Sequence, residues 1–176
     1  GLVNLAYEAI ESGGRYPVRA YIAHRHDPLM AFPDTADLKR RWAKLELLVS
    51  VTFSWSDTAW FSDVILPMSP YLERESMIAS KSGVSPSFFV RRRALEPRFD
   101  TRADWEIYRD LARVMGVKEL DFAGIEDIWA YQLQDTGLSI ADFEATGMVG
   151  LGGPLYRPVD EKTFKTASGK IEMISP

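Results

Sequence analysis

Apolar side chains recur at helical spacing from the start of the chain. Leu2, Leu5, Ala6, Ala9 and Ile10 fall on one face, and the conformational freedom of Ser12-Gly13-Gly14 ends the helix they predict. After Pro17 the rhythm changes. Val18-Arg19-Ala20-Tyr21-Ile22-Ala23 is short and partly β-branched, which predicts a buried strand, with a loop from His24 to Pro33 at its end. Asp34 or Thr35 then caps a helix through Lys44 that turns Leu38 and Trp42 inward and Lys39, Arg40 and Arg41 outward. Leu45 to Thr52, dominated by Leu and Val, predicts a second interior strand, and Asp63 to Pro67 a third short run. Strand, helix, strand is the order of a parallel sheet, because parallel neighbours need a crossover connection. Ligands of such sheets bind beyond the carboxyl ends of the strands, so the loops after Ala23 and after Val51 are the first places to look for a site.

Farther along, Val90 to Leu95 alternates weakly; if it is extended, the triple Arg91-Arg92-Arg93 places a guanidinium on each face. Asp104 to Met115 is a strongly patterned helix that buries Trp105, Ile107, Tyr108, Leu111, Ala112 and Met115 and stops at Gly116. Shorter helices are expected over Ile125 to Leu133 and Ser139 to Ala145. Beyond Gly150 the chain turns to Gly and Pro, as an extended arm does. The fold class expected is α/β, a parallel sheet with flanking helices over residues 1–150, followed by a linker or arm over 151–176. A helix that begins at once and a strand-like Ile171-Glu172-Met173-Ile174 running into Pro176 give both ends the look of cuts, so an interior piece of a longer protein is expected.

Composition narrows the function. With 176 residues, 46% of them hydrophobic, the chain can build a real core. A net charge of −4 gives no long-range attraction to nucleic acid or anionic lipid. No stretch approaches the roughly 20 apolar residues that span a bilayer, and Gly1-Leu2-Val3-Asn4 is not the opening of a signal peptide. Without cysteine, the chain holds no disulfide, no Cys-ligated iron–sulfur cluster and no thiolate nucleophile.

The candidate chemistry sits at the strand ends. His24 and His26 flank Arg25 and precede Asp27; the pair could face a metal, supply donors to a phosphate or sugar hydroxyl, or lie in a solvated loop, and the adjacent Arg25 opposes a cation. Glu73-Arg74-Glu75 has the alternating signs of a solvated run, and the Arg between the two carboxylates weakens any acid–base role. Phe53, Trp55, Trp60 and Phe61 could stack a base, but aromatics around a third strand are expected in the core. No nucleophile elbow, phosphate loop or dinucleotide glycine fingerprint appears, and Ser168-Gly169-Lys170 is expected to be a turn.

In order and spacing, Ala20-Tyr21-Ile22-Ala23-His24-Arg25-His26-Asp27-Pro28, Val49-Ser50-Val51-Thr52, Ser56-Asp57-Thr58-Ala59-Trp60-Phe61-Ser62-Asp63-Val64-Ile65-Leu66-Pro67 and Tyr71-Leu72-Glu73-Arg74-Glu75 resemble the molybdopterin oxidoreductase (dimethyl sulfoxide reductase) family. Arg102-Ala103-Asp104-Trp105 and Phe164 to Glu172 extend the resemblance over nearly the whole chain, nearest to the catalytic subunits of polysulfide and thiosulfate reductases. The resemblance implies a parent enzyme with two molybdopterin guanine dinucleotides around one molybdenum, an iron–sulfur cluster whose ligands lie outside this chain, an iron–sulfur electron-transfer partner subunit and a periplasmic location. It also implies that residues 1–150 are the family's Rossmann-like third domain, which grips one guanine dinucleotide. Carried over by position, the cofactor contacts are His26, Asp27, Val51, Thr52, Arg74 and Asp104. Two of these depart from the pattern: Asp27 stands where most members have Asn, and Thr52 where Asp is common. Asp104 has a competing reading as a helix N-cap. The alternatives are an interaction module that docks other domains or subunits through the aromatic run, and an unrelated flavodoxin-like nucleotide binder.

Overall fold

Three parallel strands form the first sheet, in the order β1 (Ala20–His24), β2 (Leu47–Thr52), β3 (Val64–Pro67), with Ile22 opposite Val49 and Val49 opposite Val64. They belong to a computed structural model that describes residues 2–13, 16–83, 85–152, 164, 166 and 168–172, the first three of them in backbone only. Four helices accompany the strands: α1 (Leu2–Ser12), α2 (Pro28–Ala31), α3 (Thr35–Trp42) and α4 (Asp57–Phe61). A fifth, α5 (Asp104–Met115), follows later in the chain. Strand β2 is central and is buried on both faces from Leu48 to Val51, which is why its run of Leu and Val lacks alternation.

Neighbouring residues of β2 serve opposite faces. Leu48 packs with Tyr7 and Ile10 of α1, Leu29 of α2 and Leu38 and Trp42 of α3. Val49 and Val51 pack with Met68 and with Ile107 of α5. Trp42, only 2% exposed, anchors the first cluster, with Tyr21 at 5.3 Å and Tyr7 edge-on at 6.2 Å between ring centroids. Burial of such a ring contributes on the order of 3 kcal/mol. Asp34 caps α3, its side chain accepting from the Asp37 N–H at 3.0 Å, and Ser56 caps α4 through the Ala59 N–H at 3.1 Å. The exposed back of α3 carries an ion-pair network in which Arg40 binds both Glu11 and Asp37.

A second sheet joins β4 (Ser76–Lys81), β5 (Ser87–Arg91) and β6 (Met148–Gly150); β5 and β6 are antiparallel, with Phe88 opposite Val149. The chain divides into two compact units, Gly1–Met77 with Arg91–Ile128, and Ile78–Val90 with Trp129–Pro176. In the second unit the Gln132 side-chain amide donates to the Ile78 carbonyl at 3.1 Å and accepts from its N–H at 2.8 Å, standing in for a neighbouring strand. Trp129, Leu133 and Phe143 are buried there.

Several expectations shift. The loop from His24 to Pro33 holds α2, and the extended run expected over Val90 to Leu95 lies earlier, at Ser87–Arg91. The helix expected over Ser139 to Ala145 is a single 3-10 turn, Ile140–Phe143. Ser168-Gly169-Lys170 is a turn, closed by the Gly169 N–H donating to the Thr166 carbonyl at 3.1 Å. Most of the expected arm, residues 153–163, and the end of the expected last strand, residues 173–176, lie outside the described residues.

Candidate functional site

Chain turns at the carboxyl end of the parallel sheet bring several charged side chains onto one carboxylate. Strand β1 ends at His24, and Arg25 takes a left-handed backbone with φ of 51°. That conformation is strained for a residue with a Cβ. Its N–H still donates to the Val51 carbonyl at 3.0 Å, so the ladder holds while the chain turns away. At the end of β3, the Ser69 N–H donates to the Arg102 carbonyl at 2.8 Å, and this short parallel bridge sets the start of α5 beside the strand ends. Asp104 is therefore the first residue of a helix, where the positive end of the helix dipole favours a carboxylate.

Three basic side chains approach Asp104 Oδ2, two guanidiniums and one imidazole: Arg74 Nη1 at 3.0 Å, Arg25 Nη1 at 4.0 Å and His24 Nε2 at 3.4 Å. Its other oxygen, Oδ1, accepts from the Trp105 N–H at 3.2 Å. The Tyr108 ring, one helical turn on, meets His24 edge-on at 5.2 Å. Arg74 follows the 3-10 turn Tyr71–Glu73 and is 1% exposed. Among the described residues none of its three side-chain nitrogens has a hydrogen-bond partner; the approach to Asp104 is an ion pair without hydrogen-bond alignment. Arg74 and Arg91 both lie over the Tyr71 ring, 5.3 and 4.3 Å from its centroid. Arg91 donates to Ser76 Oγ at 2.7 Å and leaves its Nε buried without a partner among the described residues.

Electrostatics follow from this crowding. Burial lowers the pKa of His24, with Asp104 raising it and Arg25 and Arg74 lowering it again, so the ring is neutral at pH 7. Burial likewise lowers Arg74, against Asp104, which raises it, and with Arg25 and Arg91 adding to the drop; a guanidinium keeps its charge regardless. Tyr108 is raised, first by burial and then by the charge of Asp104. Two guanidiniums facing one carboxylate, those of Arg74 and Arg25, with buried donors of Arg74 and Arg91 left over, make an anion receptor.

The turns after β1 and β2 are tied together. Asp27 Oδ1 accepts from the Thr58 N–H at 3.1 Å and the Thr58 hydroxyl at 2.5 Å, and that hydroxyl accepts from the Leu29 N–H at 3.2 Å. The acid at position 27 thus has a structural partner in place of the amide contacts it lacks. Thr52 spends its hydroxyl locally on Ser54, donating to the carbonyl at 2.9 Å and accepting from the N–H at 3.3 Å. It borders a groove of about 340 Å3 lined also by Phe53, Trp55, Met68, Phe99 and Thr101.

The structure thus brings Arg74 and Asp104 together, as an ion pair. It buries Arg74, which the charge pattern put on the surface, because the 3-10 turn aims it at Asp104. The N-cap of α5 falls on Ala103, with Glu106 accepting from its N–H at 2.9 Å, so Asp104 is released from capping. Val51 is wholly enclosed by the core, His26 is exposed and stands edge-on to Phe32, and His24 takes the inward place. Among the described residues no three His, Asp or Glu side chains are grouped to hold a metal ion. Phe53, Trp55 and Trp60, expected in the core, are 50%, 67% and 76% exposed, the first two in the turn between β2 and α4 and the third on the single-turn α4; Trp55 and Trp60 stack on each other at 4.8 Å. Sequence reasoning passed over Arg91 and Tyr108 as site residues. A faint signal for Tyr108 is its place four residues after Asp104, on the same helix face.

Comparison with known proteins decides the family. A sequence profile for molybdopterin oxidoreductases matches residues 3–114. The chain belongs to the molybdopterin oxidoreductase family. This retires the unrelated flavodoxin-like reading. The chain is 26% identical, over 99% of its length, to the thiosulfate reductase molybdopterin-containing subunit PhsA of Salmonella typhimurium, of which it spans 26%. It is 32% identical to a trimethylamine-N-oxide reductase of Pasteurella multocida over 56% of this chain and 11% of that protein. Acetylene hydratase from Pelobacter acetylenicus shares the fold, with a TM-score of 0.71 at 22% identity over 95% of this chain and 23% of that one. The chain therefore spans about a quarter or less of these relatives. Among the described residues no helix is long and apolar enough to cross a membrane.

Proposed function

We propose that this chain forms one wall of the site that binds a molybdopterin guanine dinucleotide in an oxidoreductase similar to thiosulfate and polysulfide reductases. The observation that carries the reading is Arg74, fully buried at the carboxyl end of a parallel sheet with three nitrogens lacking hydrogen-bond acceptors among the described residues. A buried guanidinium left this way costs several kcal/mol, which a phosphate oxygen would offset. The residues present thus fit a phosphate-bearing cofactor. In the parent enzyme the bound cofactor supplies two-electron and atom-transfer chemistry at molybdenum. This chain's residues bind and orient: Arg74 holds phosphate, Asp104 and Tyr108 border it, and the strap from Asp27 to Thr58 fixes the two strand-end turns. We further propose that the parent works with an iron–sulfur partner subunit and lies in the periplasm, as the thiosulfate reductase likeness suggests.

Titration of the chain with guanosine diphosphate, followed by amide NMR, tests this. Binding that Arg74→Ala abolishes supports the reading, and no binding at millimolar nucleotide overturns it for the chain alone. A second reading has its own observation: the exposed stack of Trp55 and Trp60 suits docking against another domain of the parent.

A further inference from the structure

The second sheet ends on β4, a six-residue strand with a side chain lying where another strand could add. The strand at the other end, β6, is three residues long and offers little edge to pair with. At β4 the amide of Gln132, from the last turn of the helix Ile125–Leu133, accepts from the Ile78 N–H at 2.8 Å and donates to the Ile78 carbonyl at 3.1 Å. Both backbone groups of Ile78 therefore point away from β5. The same pair of bonds is exchanged between opposing residues at a hydrogen-bonded position of an antiparallel ladder.

Gln132 is exposed, and so are both bonds. Water could satisfy the same groups, so the contact adds little to the stability of the fold. Its effect is to fill the place of a ladder neighbour, on an edge that would otherwise recruit another chain.

The sequence of β4 says which chain fits. Antiparallel pairing with a second copy about Ile78 sets each Ile78 opposite the other, Met77 opposite Ala79, Ser76 opposite Ser80, and Glu75, just ahead of the strand, opposite Lys81. Apolar side chains meet apolar ones, hydroxyls meet hydroxyls, and opposite charges meet at both ends. Parallel pairing in register would instead set Glu75 beside Glu75 and Lys81 beside Lys81. Met77 is 48% exposed and Lys81 is exposed, so both are at hand for a partner.

We propose that the outer edge of β4 is a self-association surface for a second copy of this chain, and that Gln132 is the latch that keeps it closed. Without the latch, two copies pair β4 to β4, and two three-stranded sheets join into one of six strands.

Sedimentation velocity of the whole chain tests this, in a background of Trp55→Ser and Trp60→Ser that silences the tryptophan stack. Gln132→Ala should tighten self-association at least about tenfold and give a dimer, with the far-ultraviolet spectrum unchanged. Gln132→Ser, also too short to reach Ile78, repeats the test with a polar replacement. Adding Lys81→Glu to either variant sets like charges opposite Glu75 and should weaken the dimer about tenfold. Monomers in both Gln132 variants, the same dimer with Gln132 intact, or a dimer that Lys81→Glu leaves unmoved overturns the proposal.

Discussion

Replacing Asp104 by Asn removes the carboxylate on which the site converges and changes almost nothing in volume. The magnitude can be worked from the geometry. At the 3.0 Å separation from Arg74, with an effective dielectric of about 20, the pair interaction is on the order of 5 kcal/mol. Because Arg74 is 1% exposed, it cannot regain water when its partner goes; breaking one side of such a buried pair typically costs about 3–5 kcal/mol. That is a large share of the roughly 5–15 kcal/mol that holds a domain together, and it should lower the melting temperature by roughly 6–20 °C for a chain of this size. Urea unfolding followed by tryptophan fluorescence measures it, with Trp105 next in sequence as a local reporter. The paired replacement Asp104→Leu with Arg74→Met should recover most of the loss, since an apolar pair of similar size stabilises a buried site about as well as an ion pair. A cost below about 1 kcal/mol for Asp104→Asn, or a double variant as weak as the two singles summed, would refute the reasoning.

The strap between the strand-end turns predicts that Asp27→Ala costs about 1–3 kcal/mol, because the wholly buried Thr58 loses its acceptor, and that Asp27→Asn costs less; thermal melts of both variants decide. The exposed tryptophan stack predicts the opposite balance. Changing both Trp55 and Trp60 to Ser should alter stability by less than about 1 kcal/mol and reduce self-association in sedimentation velocity. For pH, burial holds the folded pKa of His24 below its ordinary 6.5, so the unfolded chain binds the proton first. The contribution of neutral His24 is fully present above pH 6.5 and is lost as pH falls below it toward the folded value. Wild-type stability should therefore fall between pH 7 and 5 more steeply than that of His24→Gln, and parallel slopes would discard the assignment.

How much of this was legible depends on where each signal lives. The bounds of the helix from Asp104 to Met115 were readable to the residue, since its acidic start and its Gly116 stop are local. Its buried face was only partly so, for Leu111 and Met115, expected inward, are 39% and 69% exposed. The parallel sheet was readable because its central strand β2, buried on both faces, announces itself as an apolar run; β1, expected to be buried, encloses only Ala23. Strand β4 was not: Ser76-Met77-Ile78-Ala79-Ser80-Lys81 has neither alternation nor a continuous apolar run, and it gains its place from pairing with β5 and from Gln132. Helix α4 is a single turn, shorter than any periodicity can report, and so its aromatics were misplaced. In the site, Arg74 and Asp104 were legible only through family likeness. Their partnership, 30 residues apart in sequence, depends on a bridge between Met68 and Arg102 that no local pattern encodes.

The left-handed backbone at Arg25 makes position 25 a place where folding and ligand capture select different residues. A glycine there would relax the turn and, on backbone grounds alone, firm up the fold by about 1 kcal/mol. It would also strip away one of the two guanidiniums that face Asp104. Relatives that hold their ligand by other means are free to drift toward glycine at this turn, whereas a chain that keeps arginine in so awkward a conformation is accepting a looser strand end for the sake of its grip. Selection for thermal stability alone would tend to erase that arginine, and its persistence in a lineage would mark binding as the trait under pressure.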